Sequence, residues 1–166
     1  MDFLAKARRQ MLAGQVNDAR EKLTTSYEGL SEEEMLEPGV DGEKSVRDIL
    51  ANIAAWDRAY AETFRAMMAG ERHPLLDVDE EGVESFNAEQ DEASRGKPFE
   101  EVLADLSSAW DELIEVLQQA DNAQLFAPAP GDESADMSIA ACLSVIVSED
   151  EQHADLIEEW RANREA

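Results

Sequence analysis

Two ionisable side chains, Glu149 and His153, stand one helical turn apart near the end of the chain. Steps of three and four residues from Ile146 reach both of them, and the same steps then return to the apolar Leu156 and Trp160. Glu149 and His153 are therefore predicted to interrupt the buried stripe of a helix and to share one of its faces. An imidazole and a carboxylate in this arrangement can bind one metal ion together.

Asn52 is a third polar residue on the apolar side of a predicted helix, between Ile49 and Trp56. Buried polar groups are costly unless they are paired, so Asn52, Glu149 and His153 are expected to find partners. In one interpretation they form a structural network, in which Glu149 accepts a hydrogen bond from His153. In the other they hold a divalent transition metal ion such as zinc or nickel, with the neutral amide of Asn52 as a poor third ligand.

Three more side chains are predicted to line a pocket beside this polar group. Trp56 follows the apolar stripe of the second helix, and Tyr60 lies one turn beyond it with a hydroxyl that can reach the pocket. Asn87 lies in the connection after that helix and is predicted to line or cap the pocket from there. Aromatic walls beside a few polar groups are typical of small-molecule sites.

Two other residues with reactive side chains are interpreted as structural. His73 precedes Pro74 in a loop and is predicted to be a solvated surface residue. Cys142 has no neighbouring base or cation in the sequence, so it is predicted to be a packed small residue rather than a nucleophile. As the single cysteine, it also permits no internal disulfide.

Four long segments with helical periodicity must position these residues, and none of the chain shows the sustained alternation of strands. The predicted helices run from Phe3 to Tyr27, from Ser45 to Gly70, from Pro98 past Leu117, and from Ser138 to Ala162. A capping box predicts a short helical turn at residues 31–34. Residues 71–82 form a long connection, and a short helix is predicted across this crossover from Val83 to Ala93.

Four amphipathic helices of this length bury their apolar stripes against one another. The sequence therefore predicts an all-α fold, a four-helix bundle with a long crossover that carries a short helix. The length of 166 residues fits a single domain spanning residues 1–166.

The net charge of −25 restricts the classes of partner. A field of this sign repels phosphate backbones and anionic lipid, so neither nucleic-acid binding nor membrane-surface binding is expected. No apolar run approaches the roughly 20 residues that span a bilayer. The first residues do not form a secretory signal either, because an acid stands at position 2 and no apolar core follows. A cytoplasmic location is predicted.

The segment from Ser45 to Trp56, SVRDILANIAAW, resembles the second-helix signature of the DinB-like superfamily. The likeness is closest to the DfsB-type four-helix-bundle members. It extends to residues 39–42 before this helix, to Phe86 and Asn87 in the crossover, and to residues 151–153 near the end.

This resemblance implies a DinB-like bundle and a site. Many members carry a three-histidine metal site, and the corresponding positions here hold Asn52, Glu149 and His153. Members include metal-dependent enzymes that use low-molecular-weight thiols and proteins that protect against toxic small molecules. The resemblance therefore predicts a small-molecule-binding protein with a degenerate metal site. The alternative is a metal-dependent thiol transferase or a hydrolase-like detoxification enzyme. A homodimer is also implied.

Overall fold

The computed structural model describes residues 2–166, apart from the side chains at positions 2 and 135. Seven α-helices and two 3-10 helices account for most of this part of the chain. The α-helices are α1 (Asp2–Tyr27), α2 (Glu32–Leu36), α3 (Val46–Met68), α4 (Glu80–Ser94), α5 (Phe99–Gln119), α6 (Asn122–Phe126) and α7 (Ile139–Glu165). The 3-10 helices are Pro74–Asp77 and Ala135–Met137. Across residues 2–166 no strand forms, and the predicted all-α fold class is confirmed.

The four long helices of the prediction are α1, α3, α5 and α7, and the predicted crossover helix is α4. Two differences concern helix ends. Pro98 lies at the N-cap position, immediately before α5, and the first residue of the helix is Phe99. The last helix continues three residues past Ala162. The five-residue helix α6 was not predicted, because it is too short to show a hydrophobic period.

Local sequence signals start and stop the helix that carries most of the candidate site. The Ser45 side chain accepts a hydrogen bond from the Asp48 backbone amide, and the Asp48 carboxylate accepts one in return from the Ser45 amide. This capping box satisfies amides that α3 itself leaves unpaired. At the other end Gly70 has φ of 78°, a conformation that glycine adopts without strain, and α3 stops there.

The bundle consists of two closely packed helix pairs, α1 with α7 and α3 with α5. Buried apolar side chains form two clusters along the bundle, one around Phe64 and Leu113 and the other around Leu23 and Leu50. The crossover helix α4 packs on α3. None of the fifteen residues of α4 is fully buried. Its attachment therefore depends on a small number of contacts at its surface.

Arg47, at the start of α3, holds the end of α4. Its guanidinium donates hydrogen bonds to the backbone carbonyls of Ser94 and Lys97, at 2.8 Å and 3.1 Å for the two bonds to Lys97. Carbonyls at the end of a helix have no partner within it, and a cation there also complements the helix dipole. This contact fixes α4 across the face of α3.

Within residues 2–166 no helix is both long enough and apolar enough to cross a membrane. This agrees with the absence of a long apolar run in the sequence.

Candidate functional site

A cleft of about 330 Å³ opens between α3, α4 and α7. All six residues singled out from the sequence line it: Asn52, Trp56 and Tyr60 from α3, Asn87 from α4, and Glu149 and His153 from α7. The structure therefore brings together side chains that are up to about a hundred positions apart in the sequence. The volume lies at the lower end of the range for small-molecule sites.

The burial of the α7 residues differs from the prediction. Glu149 is exposed and His153 is half-buried, whereas Asp150 is only 2% exposed. The buried face of α7 runs through Ile146, Asp150, Ala154 and Ile157. The prediction that Glu149 interrupts the buried stripe is wrong, because Asp150 occupies the core position and Glu149 lies on the neighbouring row of the helix. Glu149 instead lies at the edge of the cleft.

Asn87 joins the crossover helix to α3. Its Oδ1 accepts hydrogen bonds from Asn52 Nδ2 at 3.0 Å and from Trp56 Nε1 at 2.8 Å. The neighbouring Phe86 packs against Trp56 with 4.4 Å between ring centroids. Both lone pairs of Oδ1 are thus used, and the Asn52 amide is oriented with its carbonyl oxygen available.

The predicted structural network between Asn52, Glu149 and His153 is not formed among the described residues. Neither a Glu149–His153 hydrogen bond nor a bond from Asn52 to either of them is present; Asn52 pairs with Asn87 instead. His153 Nδ1 is buried and, within residues 2–166, has no hydrogen-bond partner. A buried nitrogen in this state costs free energy that a ligand or water could recover.

A buried ionic network lies beneath the cleft, and sequence reasoning missed it. Arg20 of α1 donates to Asp57 of α3 at 2.8 and 3.1 Å and to Asp150 of α7 at 2.8 and 3.2 Å. Its guanidinium also lies 4.0 Å from the ring centroid of Trp110 on α5. One side chain of α1 thus contacts the other three long helices.

The exposed fractions are 8% for Arg20, 2% for Asp57 and 2% for Asp150. Burial raises the pKa of Asp57 to about 6, although the Arg20 guanidinium acts in the opposite direction. Burial likewise raises the pKa of Asp150. A signal for this network existed, since Asp57 and Asp150 each lie four residues beyond a buried isoleucine. Both carboxylates also line the cleft.

A second cavity of about 320 Å³ adjoins the cleft. The two cavities share four lining residues, Trp56, Tyr60, Val83 and Val145. Its other walls are mostly apolar and come from α3, α7 and the segments of the two 3-10 helices: Leu75, Leu76, Val78, Met137, Ala141 and Cys142, with Thr63 and Asp136 as the polar members. The candidate site thus has a polar part and an apolar part on either side of two aromatic rings.

His73 and Cys142 have different outcomes. The prediction of a solvated His73 is wrong, because its Nδ1 accepts a hydrogen bond from the Leu75 amide and lies 3.1 Å from Thr63 Oγ1. His73 thereby caps the 3-10 helix that walls the second cavity. Cys142 is buried as predicted, and burial raises the pKa of its thiol to about 11. A thiol in this state is not a nucleophile at neutral pH.

A family model described as DinB superfamily matches residues 15–157. The chain belongs to the DinB superfamily. The match covers all six residues of the candidate site and four-fifths or more of the chain. No curated protein and no solved structure matches the sequence. The closer likeness to DfsB-type members of the superfamily stays a prediction, as do the homodimer and the cytoplasmic location.

The residues at the positions where the resemblance implies a metal site do not fit a three-imidazole site. They supply one imidazole from His153, one exposed carboxylate from Glu149, and the neutral amide of Asn52, which is already bonded to Asn87. Within residues 2–166 no three His, Cys, Asp or Glu side chains are grouped to hold an ion. Zinc and nickel prefer imidazole and thiolate over an amide oxygen. The described residues therefore do not fit the metal ion that the resemblance implies.

Proposed function

We propose that this member of the DinB superfamily binds a small organic molecule in the cleft between α3, α4 and α7, and that its inherited metal site is degenerate. One observation carries the proposal. Six half-buried or exposed polar and aromatic side chains from three separate helices converge on one cavity of about 330 Å³. Concave sites with aromatic walls and a few convergent polar groups are the usual form of ligand sites.

The cleft retains hydrogen-bonding groups that a ligand can use. Asn52 keeps its carbonyl oxygen as an acceptor, since its amide nitrogen is the atom bonded to Asn87. Burial raises the pKa of Tyr60 to about 12, so its hydroxyl stays protonated at neutral pH. These groups supply both donors and acceptors around the two aromatic rings.

The cleft suits a binding protein better than the alternative of a metal-dependent thiol transferase or hydrolase. Such an enzyme needs a firmly held ion, and only His153 remains of the three imidazoles that the resemblance implies. A thiolate substrate is also an anion, and four carboxylates line the cleft: Asp41, Asp57, Glu149 and Asp150. These carboxylates outnumber the basic residues Lys44, His153 and Arg20, so the cleft disfavours a thiolate.

The Trp56 indole provides a direct test, because its Nε1 proton lies in the cleft and is bonded to Asn87. We expect members of a chemically diverse fragment library to shift this signal saturably in nitrogen–proton NMR spectra, with the assignment made through Trp56→Phe. Trp160 is the internal control, since its ring packs against Arg164 away from the cleft. If no fragment moves the Trp56 signal more than the Trp160 signal, the proposal is wrong.

A further inference from the structure

We infer that the ligand is a cationic amphiphile, a protonated organic amine that carries an apolar tail. This inference rests on the proposed function and names the chemical class that the cleft selects. The amine occupies the polar cleft near Glu149 and the ring of Trp56. The tail runs along the walls that the two cavities share, which include Trp56 and Tyr60, into the second, apolar cavity.

The charges around the polar cleft favour a cation. Four carboxylates line it, whereas its own basic residues are Lys44 and His153. Arg20 adds a third cation from below, bonded to Asp57 and Asp150. Carboxylates therefore outnumber cations even when His153 is protonated. The cleft attracts an ammonium group and disfavours an anionic one.

Two of these carboxylates are available to a ligand. Among the ion pairs of the described residues, Glu149 and Asp41 have no partner, while Asp57 and Asp150 share the single Arg20 guanidinium. The Lys44 ammonium lies 3.7 Å from Asp91, outside the cleft lining. An ammonium ligand beside Glu149 would gain a charge-assisted hydrogen bond without displacing an existing partner.

Aromatic faces add a second attraction for a cation. Trp56 and Tyr60 both line the polar cleft, with 6.0 Å between their ring centroids, and Phe86 packs behind Trp56. The negative face of an indole ring binds an ammonium group placed over it. Rings alone would accept a neutral aromatic ligand equally well. Their position beside unpaired carboxylates is what favours a cation.

The lining of the second cavity indicates that the tail of the ligand is apolar. This cavity shares the walls Trp56 and Tyr60 with the polar cleft, so the two spaces adjoin and the proposed ligand spans both of them. Its lining is predominantly aliphatic, and its one charged member, Asp136, is an acid. An apolar chain is favoured there, because each buried methylene raises affinity about fourfold. The net charge of −25 opposes contact with anionic lipid surfaces, so the proposed ligand is a dissolved molecule.

A series of three probes with one tail and different heads tests the class. We expect n-octylamine, measured by titration calorimetry at pH 7, to bind at least tenfold more tightly than n-octanol, and octanoate to show no saturable binding. Butylamine should bind at least tenfold more weakly than octylamine, because its chain is too short to fill the second cavity. Measurements repeated at 0.5 M salt suppress general attraction to the acidic surface.

A matched pair of variants locates the binding site. Glu149→Gln removes one carboxylate of the cleft, whereas Glu151→Gln removes an equal charge from an exposed residue of the same helix that does not line it. Octylamine affinity should fall about three- to tenfold in the first variant and stay within twofold in the second. Equal effects in both variants would overturn the inference.

The outcomes also separate this inference from the proposed function. Octanol or octanoate binding as tightly as octylamine overturns the cationic class but leaves a small-molecule site, provided that the Trp56 indole signal shifts. A second outcome has the same meaning, namely that library fragments shift this signal and octylamine leaves it unchanged. If neither fragments nor octylamine shift it, the proposed function fails as well.

Discussion

Replacing Arg20 by methionine should destabilise the protein strongly, because this arginine is the only guanidinium bonded to the carboxylates of Asp57 and Asp150 within the described structure. Methionine retains much of the side-chain packing and removes the charge. Deleting one member of a buried ion pair costs about 3–5 kcal/mol of unfolding free energy. Since one guanidinium serves two carboxylates here, we expect the upper half of this range, about 4–5 kcal/mol at pH 7.5.

The loss of unfolding free energy in Arg20→Met should be smaller at low pH than at neutral pH. The pKa of Asp57 rises from 3.8 to about 6 on folding, so between these values the folded protein binds more protons than the unfolded chain. Stability contributed by this group is therefore present at low pH and is lost as pH rises through that window. Without Arg20 the folded pKa is higher still, and the window extends towards neutral pH. The difference between the variant and the unaltered protein should shrink by about 1–2 kcal/mol between pH 7.5 and pH 5.

Urea unfolding followed by far-ultraviolet circular dichroism at both pH values measures these differences. Arg65→Met is the matched control, because Arg65 pairs with Glu112 at 2.7 Å and the two side chains are 47% and 35% exposed. An exposed pair is worth less than about 1 kcal/mol. Adding Asp57→Asn to Arg20→Met should recover at least about 1 kcal/mol, since it removes one uncompensated charge. A loss of stability in Arg20→Met no larger than that in Arg65→Met would show that the buried network does not stabilise the fold.

Two further predictions concern the residues at the implied metal site and the buried thiol. The combined variant Asn52→His and Glu149→His should bind zinc or nickel at least tenfold more tightly than the unaltered protein, because it places three imidazoles at the site. The affinity is measured in competition with a chromogenic chelator. Unchanged affinity would contradict the correspondence of these positions with the metal site of the DinB superfamily. The Cys142 thiol should react with a disulfide reagent at pH 8 at least about a hundredfold more slowly in the native protein than in urea, since its pKa is about 11 against an ordinary value of 9. Similar rates in the two conditions would show that it is accessible.

The fold was predictable because several local signals agree in each long helix. In α3 the capping box at Ser45, the apolar stripe from Ile49 to Phe64, and the stop at Gly70 all indicate the same boundaries, and the structure has them within two residues. The crossover helix α4 was placed with an error of three residues at its start. Consistent signals of this kind are what make a sequence specify one structure.

The site was only partly predictable, because a helical stripe broken by a charge can be followed along two neighbouring rows. At Ile146 the step of three leads to Glu149 and the step of four leads to Asp150, and hydrophobicity does not distinguish them. The ion network that decides between the rows joins residues as far apart as Arg20 and Asp150. A contact between residues this far apart in the chain produces only a weak pattern in a single sequence. The hydrogen bonds of Asn87 depend on the docking of α4 and were beyond prediction for the same reason.

The crossover helix has a consequence for the speed of ligand exchange. The other two walls of the cleft, α3 and α7, are held together by the Arg20 network, whereas none of the residues of α4 is fully buried. Segments with little buried surface separate from a protein at a lower free energy than global unfolding requires. If a ligand occupies the cleft, we expect weakening of the α4 contacts made by Asn87, Phe86 and Arg47 to speed its entry and exit while the rest of the bundle stays folded. Affinity and residence time can then be tuned separately, affinity through the cleft and residence time through this helix.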